Sequence, residues 1–258
     1  MSPTHVASVK TMSLPLDGYR VTHEQKRLLE YAQGRLAVDC LRRFGFAGPE
    51  ITRRPPMPLG LNERRYGLAD LERAEKFGYG VADLSLTDGP AKFDLSPAAA
   101  AVWTGQVATA DADGQAVPAG GCRAEAQRRL AEGSPAQVDE ELADRLSTEA
   151  FHRSESDSRV QAAFHEWSAC MSKAGYSYAD PWVVNNDPKF GQSPPTALEV
   201  QIATADVKCK SAVGLVDTWC AVETAYQNRL LEEHHGELTR LKELLDLRIR
   251  NATRVVGA

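Results

Sequence analysis

The hydrophobic positions of this chain recur mostly at three- and four-residue spacing, the period of an amphipathic helix. In "THEQKRLLEYAQGRLAVDCLRRFGF", Leu29, Ala32, Leu36, Cys40 and Phe44 share one stripe. Thr22 stands where an N-cap belongs, Glu24 and Gln25 occupy the first turn, and Gly45 stands where a helix stops. The segment predicts a first helix. Residues 47–68 are rich in Pro, Arg and Gly and read as an ordered loop. A short helix over "ADLERAEKF" follows, and then one or two turns over "SPAAAAVWTG", with Ser96 as cap and Pro97 at the first helical position.

Further helices are expected from Cys122, over roughly Val138 to Arg153, and from about Ser158 to Ala174. Val160, Phe164, Trp167 and Met171 form the stripe of the last of these. "YSYADPWVVNNDPKFGQSPP" reads as a loop. From Thr196 the helical pattern runs nearly to Val256, first through Leu198, Ile202, Cys209, Val213 and Val216. It continues through Trp219, Val222, Tyr226, Leu230, His234, Leu238, Leu241, Leu245, Ile249 and Ala252. One straight helix of about 55 residues would be about 80 Å long, so a break is expected, at Gly214 or Gly236. The charged face beyond Tyr226 suits a helical hairpin or a coiled coil, and with it a homodimer through the C-terminal helix. No alternating run is long enough to read as a strand. The expected class is mainly α. The expected organisation is a flexible leader over residues 1–14 and a single helical domain over 15–258 with long ordered loops. Residues 215–256 are expected to form its long amphipathic helix, free to project.

Composition narrows the function classes. The chain has 258 residues, 43% hydrophobic and 25% charged, which suffices for a sizeable core. A net charge of −5 argues against bulk electrostatic binding to nucleic acid or anionic lipid. The pairs Arg42-Arg43, Arg53-Arg54 and Arg64-Arg65 are read as solvating a polar region. No run approaches the length of a membrane span. The N-terminal residues carry no apolar core of a secretory signal, so an exported form would have lost its signal or lipid anchor.

Five cysteines carry the clearest chemistry: Cys40, Cys122, Cys170, Cys209 and Cys220. None forms a CxxC pair, and none stands at metal-ligand spacing from a histidine. Cys40, Cys170 and Cys209 fall on or beside apolar helix faces, and Cys122 follows two glycines that allow close approach. Two disulfides with one odd thiol is the simplest reading, with Cys40–Cys122 and Cys170–Cys209 preferred. Cys220 remains a competitor for Cys170, and five buried reduced thiols are the alternative. Spacing alone does not fix connectivity.

Nucleotide, zinc-protease and serine-hydrolase motifs are missing from the sequence. His165 and Glu166 are adjacent on a helix and point about 100° apart, which reads as one surface acid and one partly buried histidine. His234-His235 cannot chelate as an i, i+4 pair does. "DADG" at 111–114 is a turn rather than a calcium loop, and "NAT" at Asn251 is a sequon by spelling only. No metal or cofactor is expected. Loop aromatics are the remaining candidates, and Trp103, Tyr176, Tyr178 and Trp182 are singled out for ligand or peptide binding. The competing reading is that they plug gaps between helices. A hydrolase using His165 or His152 with nearby acids is a further alternative.

Several segments together resemble a group of actinobacterial exported proteins, secreted or lipid-anchored. They are "SLPLDGY", "DCLRRFGF", "RRYGL", "GGCRAEAQRRL", "WSACMSKAGYSY", "IATADVKCK" and "GLVDTW" followed by "VETAYQNRLLEEH". The likeness runs from Leu14 to about His235 and includes Cys40, Cys122, Cys170 and Cys209. Cys220 departs from the group's pattern, which marks it as the odd thiol. The resemblance implies export and oxidising conditions that favour disulfides, but no established activity. The expected function is that of a non-enzymatic binding or accessory protein of the cell envelope. Its partner would be an unknown protein or envelope component, with no nucleic acid and no integral membrane span.

Overall fold

The computed structural model describes residues 6–55, 57, 59–80, 94–109, 115–135 and 137–257. It is built of helices: α1 (His23–Arg43), α2 (Leu71–Phe77), α3 (Pro97–Thr104), α4 (Gly121–Leu130), α5 (Leu142–Glu155), α6 (Ser158–Lys173), α7 (Pro181–Asn185), α8 (Ala197–Ala212), α9 (Leu215–Glu233) and α10 (His235–Gly257). Two 3-10 turns, Val9–Thr11 and Pro15–Tyr19, precede α1. The fold is mainly α, and the sole β pairing among the described residues is an isolated bridge between Thr109 and Ala116.

Local sequence explains most of the boundaries. Thr22 and Gln25 form a reciprocal capping box at the start of α1, with Gln25 N–H on Thr22 Oγ1 at 3.2 Å and Thr22 N–H on Gln25 Oε1 at 2.9 Å. Asp70, Ser96, Asp157, Asp180 and Thr196 cap α2, α3, α6, α7 and α8 through their side-chain oxygens. Helix α7 lies inside the stretch expected to be a loop. Its signal is the Asp180-Pro181 pair, an N-cap followed by proline at the first helical position.

The long C-terminal pattern is broken twice. Gly214 separates α8 from α9 in a left-handed conformation, φ +62°. The second break falls at His234 rather than Gly236, which lies within α10. The stripe expected for α8 is also displaced. Leu198 is 57% exposed, and the buried face carries Glu199, Ile202, Ala203, Asp206, Val207, Cys209 and Lys210.

The chain divides into two compact units where a single domain was expected. The first takes the described residues between 6 and 18, between 59 and 80, and from 141 to 235. Its core is formed by Tyr66, Leu68, Trp167, Met171, Leu215 and Trp219, with α5 and α6 against α9 and with α2 and α6 against α8. The flexible leader expected over residues 1–14 is built into this unit from Val6 onward. Met12 and Leu14 are buried in its core, and Val6 N–H donates to Asp217 Oδ1 at 2.8 Å.

The second unit takes the described residues between 19 and 57, between 94 and 140, and from 236 to 257. Here α1 packs on α3 and α4. Ala32, Leu36, Ala126, Leu130 and Ala252 form one apolar cluster, and Cys40, Leu41, Phe44, Val102 and Cys122 form another. The meeting of α3 and α4 requires glycine. A Cβ on Gly105 would stand 2.4 Å from the Gly121 nitrogen, and one on Gly121 would stand 2.5 Å from the Trp103 carbonyl oxygen. Along the apolar stripe of α10, Leu238, Leu241, Leu244 and Ala252 are buried, and Leu245 and Ile249 are partly exposed.

Candidate functional site

The disulfides come first, because they tie the helices that everything else hangs on. Cys40 of α1 is bonded to Cys122 of α4, and Cys170 of α6 to Cys209 of α8. Their Cα atoms stand 5.5 and 5.6 Å apart, in the middle of the usual range. Each bridge lies within one unit. Cys220 is a free, buried thiol, and burial pushes its pKa up.

The first unit holds a buried polar cluster that periodicity did not reveal. Asp206 and Lys210 lie one turn apart on α8, both almost inaccessible to solvent, with Lys210 Nζ 3.1 Å from Asp206 Oδ2. Asp206 also accepts from Trp167 Nε1 at 2.9 Å and from the Tyr79 hydroxyl at 3.1 Å. Lys210 donates to the Leu68 carbonyl at 2.8 Å. Burial pushes the Asp206 carboxyl up and the Lys210 ammonium down, and in each case the partner's charge opposes that shift. The Tyr79 and Tyr66 phenols are pushed up, chiefly by burial.

A second cluster surrounds Glu223 of α9, which is fully buried. It is ion-paired with Arg65 and accepts from the Tyr66 hydroxyl at 2.9 Å and from Gln227 Nε2 at 2.7 Å. Gln227 in turn accepts the Leu16 N–H at 2.9 Å. Arg65 reaches the Ser147 carbonyl and lies over the Phe151 ring, 5.1 Å from its centroid. Its neighbour Arg64 donates to the carbonyls of Tyr79 and Gly80, both at 2.8 Å. The Arg64-Arg65 pair therefore does not solvate a polar region, as the sequence suggested. Both side chains turn inward because buried acceptors are available to them. These groups spend their hydrogen bonds on one another, so the clusters hold the segment 59–80 against α8 and α9.

Three of the four candidate aromatics belong to the first unit and Trp103 to the second. Tyr176, Tyr178 and Trp182 lie half-buried against the core of the first unit. Trp182 meets Phe151 and Trp219 edge-on, at centroid distances of 6.0 and 5.8 Å. Trp103 is in α3 and packs on the apolar clusters of the second unit. Each of them thus fills space beside an apolar cluster of its own unit. Trp182 Nε1 is nonetheless buried with no hydrogen-bond partner among the described residues.

His165 and Glu166 are both exposed on α6, so the expected partial burial of His165 is not found. His152 is exposed on α5, with Glu155 3.6 Å away. Among the described residues no three histidine, cysteine or acidic side chains gather as a metal site would require. Asn251 turns inward and donates to the carbonyls of Leu130 and Glu132. The "DADG" turn lies outside the described residues.

Clefts of ligand size occur in both units. One of about 290 Å³ lies in the first, beneath residues 6–9 and beside the start of α9. One of about 340 Å³ lies in the second, between α1, α4 and α10. Comparison with protein-family models, with curated proteins and with solved structures finds no match to this chain.

Proposed function

We propose that this protein is an exported, non-enzymatic binding or accessory protein of the cell envelope. The observation that carries the reading is the pair of disulfides, one in each compact unit, with the remaining cysteine buried as a thiol. Bonds of this kind persist in oxidising compartments and are rare where glutathione and thioredoxin keep thiols reduced. Among the described residues no helix is long and apolar enough to cross a membrane, which is compatible with a protein that works outside one. The hydrolase alternative required His165 or His152 to converge with acids in a deep pocket. His165 is an exposed helix-surface residue, and His152 lines a wide, open cleft on α5 with Glu141, Asp144 and Glu149 rather than a deep pocket.

Two measurements on intact cells of the source organism test this reading. A membrane-impermeant amine label should modify the protein before lysis, and thiol trapping should find a single alkylatable cysteine after denaturation. Labelling only after lysis, or five free thiols, overturns it.

A further inference from the structure

We infer that the cleft between α1, α4 and α10 binds a small acylamide carrying a carboxylate, the group that the last residue of a peptide presents. Its volume of about 340 Å³ is at the lower end of ligand sites, which run from about 300 to 1,000 Å³. Leu29 of α1 and Leu130 of α4 give it an apolar lining. Beside them stand two carboxamides, Gln33 on α1 and Gln127 on α4. Neither takes a side-chain hydrogen-bond partner among the described residues. A carboxamide offers two donors and an acceptor, so a pair of them matches the N–H and C=O of an amide.

The polar side of the cleft carries Arg128, Arg248 and Glu140. Arg248 is clamped by Glu140 through both Nη atoms, and Arg128 donates Nη1 to the Ala119 carbonyl at 2.8 Å. Both guanidinium groups are thus held in place, and each keeps donors to spare. Two cations against one carboxylate leave a positive excess, which selects a carboxylate over an ammonium. Apolar contact for a short side chain, amides for an amide and a guanidinium for a carboxylate together define the ligand class.

The inference deepens the binding reading above, and the two fail separately, because surface labelling and thiol counting do not involve this cleft. The test is an NMR titration of the full chain with N-acetylalanine and, as a second arm, acetyl-trialanine. Saturable shifts of the Gln33 and Gln127 side-chain amides are expected, with a dissociation constant on the order of 1 mM for so small a probe. N-acetylalaninamide, which lacks the charge, should bind about tenfold more weakly. Gln127→Leu and Arg128→Gln should each weaken binding at least about fivefold, and both side chains are exposed enough for the variants to fold. Tighter binding of acetyl-trialanine assigns the site to peptide ends, and equal binding assigns it to free acylated amino acids. No saturable shift up to about 50 mM, or binding unchanged in both variants, overturns the inference.

Discussion

Breaking the Asp206–Lys210 pair is the sharpest test of the first unit, because the direction and the coupling are both fixed by the geometry. At 3.1 Å the attraction is about 5 kcal/mol with an effective dielectric constant near 20. Desolvating each ion costs several kcal/mol, so the intact pair is worth little net. Removing one partner is different. Asp206→Asn leaves an ammonium with 1% side-chain exposure facing the Leu68 carbonyl alone, a loss of about 3–5 kcal/mol. Lys210→Met leaves the carboxylate with two neutral donors, Trp167 and Tyr79, and falls at the lower end of about 3–5 kcal/mol. The double variant Asp206→Asn/Lys210→Met has no buried charge and keeps an oxygen for Trp167. It should cost about 1–3 kcal/mol, well below the sum of the single changes.

The assay is urea unfolding at neutral pH with disulfides intact, followed by tryptophan fluorescence in a Trp103→Phe background. The three remaining tryptophans, Trp167, Trp182 and Trp219, all belong to the first unit. A fall of about 10 °C in Tm should accompany Asp206→Asn. Additivity of the two single changes to within about 0.5 kcal/mol would mean that the side chains do not interact. A cost below about 1 kcal/mol for Asp206→Asn would mean that the ammonium has access to water. Either result refutes the reasoning.

The thiol of Cys220 should resist iodoacetamide at pH 8 in the native protein, since burial both shields it and raises its pKa; rapid native labelling would contradict this. Replacing Cys170 and Cys209 together by serine should cost about 4 kcal/mol for a bridge spanning 39 residues, and Cys40 with Cys122 slightly more for one spanning 82. Unchanged melting on reduction would sink both figures. Hydrogen bonds from Arg159 hold the Asp157 carboxyl at about 2, below its ordinary range. That depressed pKa contributes stability present above about pH 4, the ordinary carboxyl value, and lost as pH falls through the folded value. Asp157→Ala should therefore cost about 1 kcal/mol at pH 7, through the lost cap of α6, and progressively less toward pH 2. A penalty independent of pH would place its origin elsewhere.

Helix positions were legible where a cap and a stripe coincide. Thr22 with Gln25, Ser96 with Pro97, and the run Val160, Phe164, Trp167, Met171 are such places, and the structure buries that whole run. The preferred disulfide pairing is the one the structure shows, but the sequence leaves Cys220 as a competitor for Cys170 and does not fix the connectivity. The second break in the C-terminal pattern falls two residues before the expected Gly236, because His234 departs from helical geometry while Gly236 stays within α10. The division into two units was not legible at all. Each unit is assembled from three separated stretches of chain, and no linker composition marks the crossings.

The buried charges were missed for a reason that the sequence itself contains. Glu199, Asp206 and Lys210 stand at i, i+7 and i+11, in phase with Ile202 and Ala203. Glu223 and Gln227 stand in phase with Trp219 and Leu230. A stripe count that admits only apolar residues places Leu198 on the stripe and passes over Asp206, although Leu198 is exposed and Asp206 buried. A charged residue in phase with a stripe has two outcomes: the helix rotates to expose it, or a partner is brought to it. Here the partners come from "NERRYGL", which supplies Arg65 and Tyr66 to Glu223 and the Leu68 carbonyl to Lys210. An arginine pair and a tyrosine in a loop otherwise read as solvated are therefore the second half of a signal whose first half lies on α8 and α9. Neither half is informative by itself. Together they predict that substitutions in the loop and in the two helices will be coupled, with Arg65→Gln costing less in a Glu223→Gln background than alone.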